Sequence, residues 1–279
     1  MDIWYILTDW LPFAWLQHLF MKNALLAIIF VTPVFGILGT MVVSNKMAFF
    51  ADSLGHSALT GIAIGVILGI RNPIWSMIGF ALLFAAGILV VKNGNKTSTD
   101  TVIGVFSAVA VALGIVILSR GGGFNKYSTY LIGDLLSISP EEIGMLALVL
   151  ISVIVFWYFS FNKLLLVSMN ESLAKSRGVK IHVMEVLFTA FIAVIITISI
   201  QWIGILIINS LLILPAAGAR NIAGSAKQYH MYSVVIALLS GISGLILSYY
   251  WGTATGATIV LIAALFFFIT FCLRRFFNL

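Results

Sequence analysis

The chain has 279 residues, 62% of them hydrophobic and 9% charged, against roughly 45–50% and about 25% in soluble domains. That composition excludes a soluble globular protein. A net charge of +6 with a single cysteine, Cys272, excludes an intrachain disulfide and any thiolate metal site, and leaves Cys272 facing lipid or packed.

The first 20 residues begin with an acid, and the first basic residue is Lys22, so they lack the charged start of a cleaved signal. Trp4, Tyr5, Trp10 and Trp15 point to a segment over 1–20 lying at the membrane interface, where amphipathic rings settle. Seven charge-free stretches follow: 23–45, 53–70, 72–91, 101–119, 143–162, 186–219 and 228–273. A bilayer core needs about 20 apolar residues in helical form, so most of them hold one span. The last is long enough for two, with the turn at Tyr249 to Gly256, while 186–219 holds one long or two short spans. The expectation is an all-α, polytopic transmembrane helical bundle of eight or nine spans, filling 1–279 as a single transmembrane domain.

The basic residues sit in loops between spans, so they report topology and not a nucleic-acid partner. With nine spans and 163–183 placed inside, eleven fall on the inner side (Lys46, Lys92, Lys96, Lys163, Lys175, Arg177, Lys180, Arg220, Lys227, Arg274 and Arg275) and four outside (Lys22, Arg71, Arg120 and Lys126). That bias puts the N-terminus outside and the C-terminus inside, and favours nine.

Pro33 and Pro215 mark kinks or helix ends, where carbonyls are freed towards a cavity. Asp52, just before the second stretch, and His56, near its start, are four residues apart and so share a helix face, where they can reach one ion or each other. Ionisable groups in spans cost roughly 2.5–3.5 kcal/mol on insertion scales and usually face an interior or a pathway. The plainer alternative makes Asp52 the end of a loop and His56 a packed imidazole. Two ligands are too few for a metal site, so Ser53, Ser57 or a second copy of the chain would have to complete it. Gly61, Gly65 and Gly69 repeat every four residues, a spacing that lets a neighbouring helix approach closely; at 100° per residue Gly61 lies about 140° from His56.

Among later residues, Asp134 is a candidate for an outer vestibule or a helix cap, and Ser139-Pro140-Glu141-Glu142 reads as a helix start. The stretch 164–180 reads as a cytoplasmic docking loop, with Asn170 as cap and a short polar helix from Glu171 to Arg177 that stops at Gly178; a plain solvated connector is the alternative. His18 falls in the interfacial segment, while His182 and His230 fall beside cytoplasmic charges, where a solvated role is expected. No G-x-x-x-x-G-K-[ST] occurs, and Gly94-Asn95-Lys96-Thr97 lacks its spacing, so any ATP hydrolysis belongs to another chain.

Four segments, MAFFADSLGHSALTGIAIGVILG (47–69), YLIGDLLSISPEE (130–142), SMNESLAKSRGV (168–179) and IGILIINSLLILPAAGARNIA (203–223), resemble in the same order the permease subunits of bacterial ATP-binding-cassette importers for zinc and manganese. The resemblance covers nearly the whole chain and implies one permease domain in the bacterial plasma membrane. It further implies a homodimer, two cytoplasmic ATP-binding subunits and an extracytoplasmic metal-binding protein that delivers the ion. It places Asp52 and His56 on the metal path, the ATPase-coupling element on Glu171 to Gly178 with Lys175 between them, and an inner gate on Leu211 to Arg220, kinked at Pro215. Gly55 and Thr60 depart from what relatives often carry.

Neutral imidazole with carboxylate suits Zn(II) first and Mn(II) next as transported ion, with no permanently bound cofactor. A conduit must release what it binds, so few protein ligands are sufficient. Protonated imidazole does not ligate, so uptake is expected to fall in acid. An ion-coupled secondary transporter using Asp52 and His56 as a relay is the alternative; an intramembrane metalloprotease would need H-E-x-x-H, which is absent.

Overall fold

A computed structural model describes residues 2–10, 12–94, 98–120, 133 and 135–277. Every element there is helical, as expected where no water is present to satisfy an open backbone. The helices are α1 (Asp2–Asp9), α2 (Leu19–Ser44), α3 (Ala48–Ile67), α4 (Pro73–Gly94), α5 (Thr99–Arg120), α6 (Pro140–Met169), α7 (Glu171–Ser176), α8 (Ile181–Ile203), α9 (Ile205–Ile222), α10 (Ala226–Trp251) and α11 (Thr255–Phe277), with short 3-10 turns at Ala14–Gln17 and Leu135–Ser137. All but α1 and α7 are long and apolar enough to cross a bilayer, which gives nine candidate spans among the described residues.

The stretch 186–219 is therefore two spans. The break falls at Gly204, whose φ of 84° and ψ of 157° are open to glycine and strained for other residues. Pro33 and Pro215 do not end their helices: α2 and α9 run through them. Each ring removes one backbone donor, and the helix is otherwise kept.

The chain falls into two compact units that are each discontinuous in sequence: residues 1–43, 133–158 and 206–279 form unit 1, and residues 44–132 and 159–205 form unit 2. In unit 1, the N-terminal segment is tied to the start of α2. Trp4 Nε1 donates to the Lys22 carbonyl (3.1 Å), Tyr5 Oη to Asn23 Oδ1 (2.9 Å), and Lys22 pairs with Asp9. The other face of α1 keeps Ile3, Ile6, Leu7 and the nearby Trp10 exposed. The start of α6 is capped as expected: Glu142 N donates to Ser139 Oγ and Ser139 N to Glu142 Oε2, a reciprocal capping box.

In unit 2, α3 packs on α4, α5 and α8. A β-carbon on Gly61 would stand 2.7 Å from Met77 Cα, and one on Gly65 would collide with Ser76, so these glycines admit α4. Gly69 does something else. Its φ is +66°, nothing stands near it, and Ile70 N bonds back to the Gly65 carbonyl at 2.9 Å, the left-handed ending of a helix. On the α5 side, Thr60 Oγ1 donates to the Ala110 carbonyl, so Thr60 serves as an interhelical tie.

Candidate functional site

The sequence of α3 puts Asp52 and His56 one turn apart, and the structure keeps them together: His56 Nε2 lies 3.7 Å from Asp52 Oδ1. Of the span residues of this helix 72% are buried, yet the side chains of Asp52 and His56 are 40% and 46% exposed. Phe49, one turn below, is exposed as well. The three form an open edge near the start of a helix whose other exposed side chains, Val66 and Ile67, fall in its last turn. Hydrocarbon is a poor cover for a carboxylate and an imidazole, so this edge calls for water or another polypeptide.

Ser53 and Ser57 do not complete the pair. Both are buried, and their hydroxyls donate to their own helix, Ser53 to the Phe49 carbonyl (2.8 Å) and Ser57 to the Leu54 carbonyl (2.9 Å). Facing inward, next to the apolar packing, they satisfy themselves locally. No group of three His, Cys, Asp or Glu side chains able to hold a metal forms among the described residues. Within one copy, the edge therefore supplies two donors.

The expected docking stretch 164–180 is shorter as a connector than its composition suggests. Residues 164–169 are the end of α6, which continues past Lys163, as a helix can once its long basic side chains reach the interface. After it, Asn170 Oδ1 accepts from Leu173 N (3.1 Å), α7 runs from Glu171 to Ser176, and Gly178 closes it with a φ of +74°. Ala174 is fully buried and anchors α7, while Glu171 and Lys175 point outward. Those two side chains border a cavity of about 550 Å³ together with Lys46, His182 and Glu185, all in unit 2.

In unit 1, Pro215 is buried within α9 and Arg220 is exposed in its last turn. Asp134 lies outside the described residues. His18 is stacked on Phe20, with its Nε2 3.1 Å from Tyr249 Oη. His230 does not fit the solvated role read from its charged neighbours. Both its ring nitrogens are buried, and Trp157 meets the imidazole edge to face at 4.9 Å. The aromatic partner comes from α6, 73 positions earlier, which no local reading of the sequence around His230 could supply.

Comparison with known proteins adds a family to this geometry. The profile of the ABC 3 transport family matches residues 17–274. The high-affinity zinc uptake system membrane protein ZnuB of Haemophilus influenzae is 33% identical over 242 residues, covering 85% of this chain and 91% of that protein. The manganese import system permease protein ScaB of Streptococcus parasanguinis is 30% identical over 255 residues, 91% of each chain. Among solved structures, PsaBC from Streptococcus pneumoniae in complex with Fab superposes with a TM-score of 0.80 at 29% identity, over 97% of this chain and 95% of that one. The nine spans and these relatives make the protein a multi-pass component of the bacterial plasma membrane. With a profile that matches nearly end to end, the chain belongs to the ABC 3 transport family.

Proposed function

We propose that this chain is the membrane-spanning permease of an ATP-driven importer that moves a divalent transition metal into the cytoplasm, zinc first and manganese next. The observation that carries the reading is the open Asp52–His56 edge on a largely buried helix. Relatives named for zinc uptake and for manganese import support the cargo class. Imidazole nitrogen and carboxylate oxygen together suit both ions.

Two donors make a weak site, which is what transit requires. Pairing with a second copy would double the set to two carboxylates and two imidazoles and would cover the edge at the same time. An extracytoplasmic metal-binding protein delivers the ion from outside, and Asp52 and His56 hold it in passage. A separate ATP-binding chain drives the change of access through α7, since the sequence holds no phosphate-binding loop. Arg220 and the proline-bearing α9 act at the inner gate.

The test is uptake of radioactive zinc and manganese by cells that depend on this importer. Asp52→Ala with His56→Ala is expected to lower uptake by on the order of 100-fold. Undiminished uptake in the double variant would remove the site, and uptake that persists without any ATP-binding partner would favour an ion-coupled carrier.

A further inference from the structure

Transport through the Asp52–His56 edge leaves the N-terminal segment of unit 1 without a task. The two sides of α1 differ. Trp4, Tyr5 and Thr8 turn to the protein: Trp4 and Tyr5 bond the start of α2, and the buried Thr8 hydroxyl bonds back to the Trp4 and Tyr5 carbonyls. Ile3, Ile6, Leu7 and, just past the helix end, Trp10 have the spacing of one helix face, and they are between 59% and 86% exposed. The apolar surface does not stop there. Phe13 follows, and the exposed Leu19 and Phe20 carry it into the first turn of α2, a candidate span.

The contacts of α1 fix its height. Lys22 and Asn23, its partners on α2, are the fourth and fifth residues of that helix, within about 6 Å of its outer end at 1.5 Å per residue. Asn23 Nδ2 also donates to the Ile138 carbonyl at 3.3 Å, one residue before the capping box that opens α6, where Glu141 is exposed. The segment therefore lies at the level where two spans leave the hydrocarbon. The turn from α10 to α11, in the same unit, exposes Tyr250 and Trp251, and Tyr249 beside them meets His18 with ring centroids 5.7 Å apart. Aromatic rings gather at a boundary that is apolar on one side and wet on the other.

We propose that α1 and the turn into α2 lie in the plane of the outer leaflet, with Ile3, Ile6, Leu7 and Trp10 seated between headgroups and acyl chains. The occupant of this face is a lipid surface. Because the face is continuous with the exposed start of a span, any other partner that covered it would have to enter the membrane. The eight residues of α1 extend about 12 Å as a helix, too short to cross a bilayer. Lys22 offers no cation to the lipid, since it is buried and paired with Asp9. Immersion therefore rests on apolar area and aromatic rings, not on attraction to anionic headgroups. Through Trp4 and Tyr5 it ties the outer end of α2 to that depth.

The test is electron paramagnetic resonance on the full chain in lipid nanodiscs, with a nitroxide on Ile6→Cys or on Leu7→Cys in a Cys272→Ser background. Both positions are exposed, so the label displaces no packed side chain. Power saturation is expected to show oxygen reaching the label more readily than nickel EDDA, at a depth of about 5–10 Å into the boundary. The depth should be the same in phosphatidylcholine and in phosphatidylglycerol. Three results would overturn the proposal. Nickel EDDA reaching the label more readily than oxygen would mark a surface kept for a soluble partner. Mutual broadening of labels on two chains would mark a face covered by a second copy. Immersion only in phosphatidylglycerol would make it electrostatic. None of these readouts depends on the Asp52–His56 edge, so the outcome stands whether or not that edge carries metal.

Discussion

Two faces of α3 follow opposite rules. On one, Gly61 and Gly65 leave no room even for a β-carbon, and α4 is pressed against the helix backbone. On the other, Phe49, Asp52 and His56 stand open. Close packing is what drives association between helices in lipid, because burial offers no hydrophobic gain there. The closed face therefore belongs to folding. The open edge carries costly groups that its own chain covers only in part, which is the mark of a surface kept for something that arrives from outside the chain.

Substitutions on the two faces should separate these roles. The largest effect is expected from Asp52→Leu with His56→Leu: uptake falls by on the order of 100-fold, while the melting temperature stays the same or rises because two costly polar groups leave the membrane interior. A large drop in melting would show that the edge is structural after all. Gly61→Val should do the reverse in kind. It overfills the contact with Met77 and destabilises the fold by about 1–3 kcal/mol, read as a lower melting temperature in detergent, with whatever protein remains folded still transporting. The smallest effect is expected from Ser53→Ala. Since that hydroxyl faces inward and bonds its own helix, uptake should stay within about twofold of wild type; a strong loss would move Ser53 back among the metal ligands.

Much of this architecture is legible from charge alone. Lysines and arginines at the ends of apolar stretches divide the chain into spans, and the capping box at Ser139 and the short helix at Glu171 are written in adjacent residues. The break at Gly204 is harder to read, because a lone glycine in an isoleucine-rich run also suits a continuous helix, and only its backbone angles decide. Gly69 fits the glycine repeat by spacing and yet ends the helix. The pairing of Asp52 with His56 follows from helical period, but the inward turn of Ser53 and Ser57 depends on which face α4, α5 and α8 cover. His230 was beyond reach for the same reason: its enclosure is made by Trp157, a distant residue.

The central claim is that the Asp52–His56 edge meets its counterpart in a second copy across a water-accessible path. It is tested most directly by placing His56→Cys in a Cys272→Ser background, which removes the one native thiol, and treating native membranes with a short water-soluble bismaleimide. The account predicts a covalent dimer band that weakens when zinc or manganese is present during labelling. A thiol that is labelled only by membrane-permeant reagents and never links two chains would contradict it, because the edge would then face lipid.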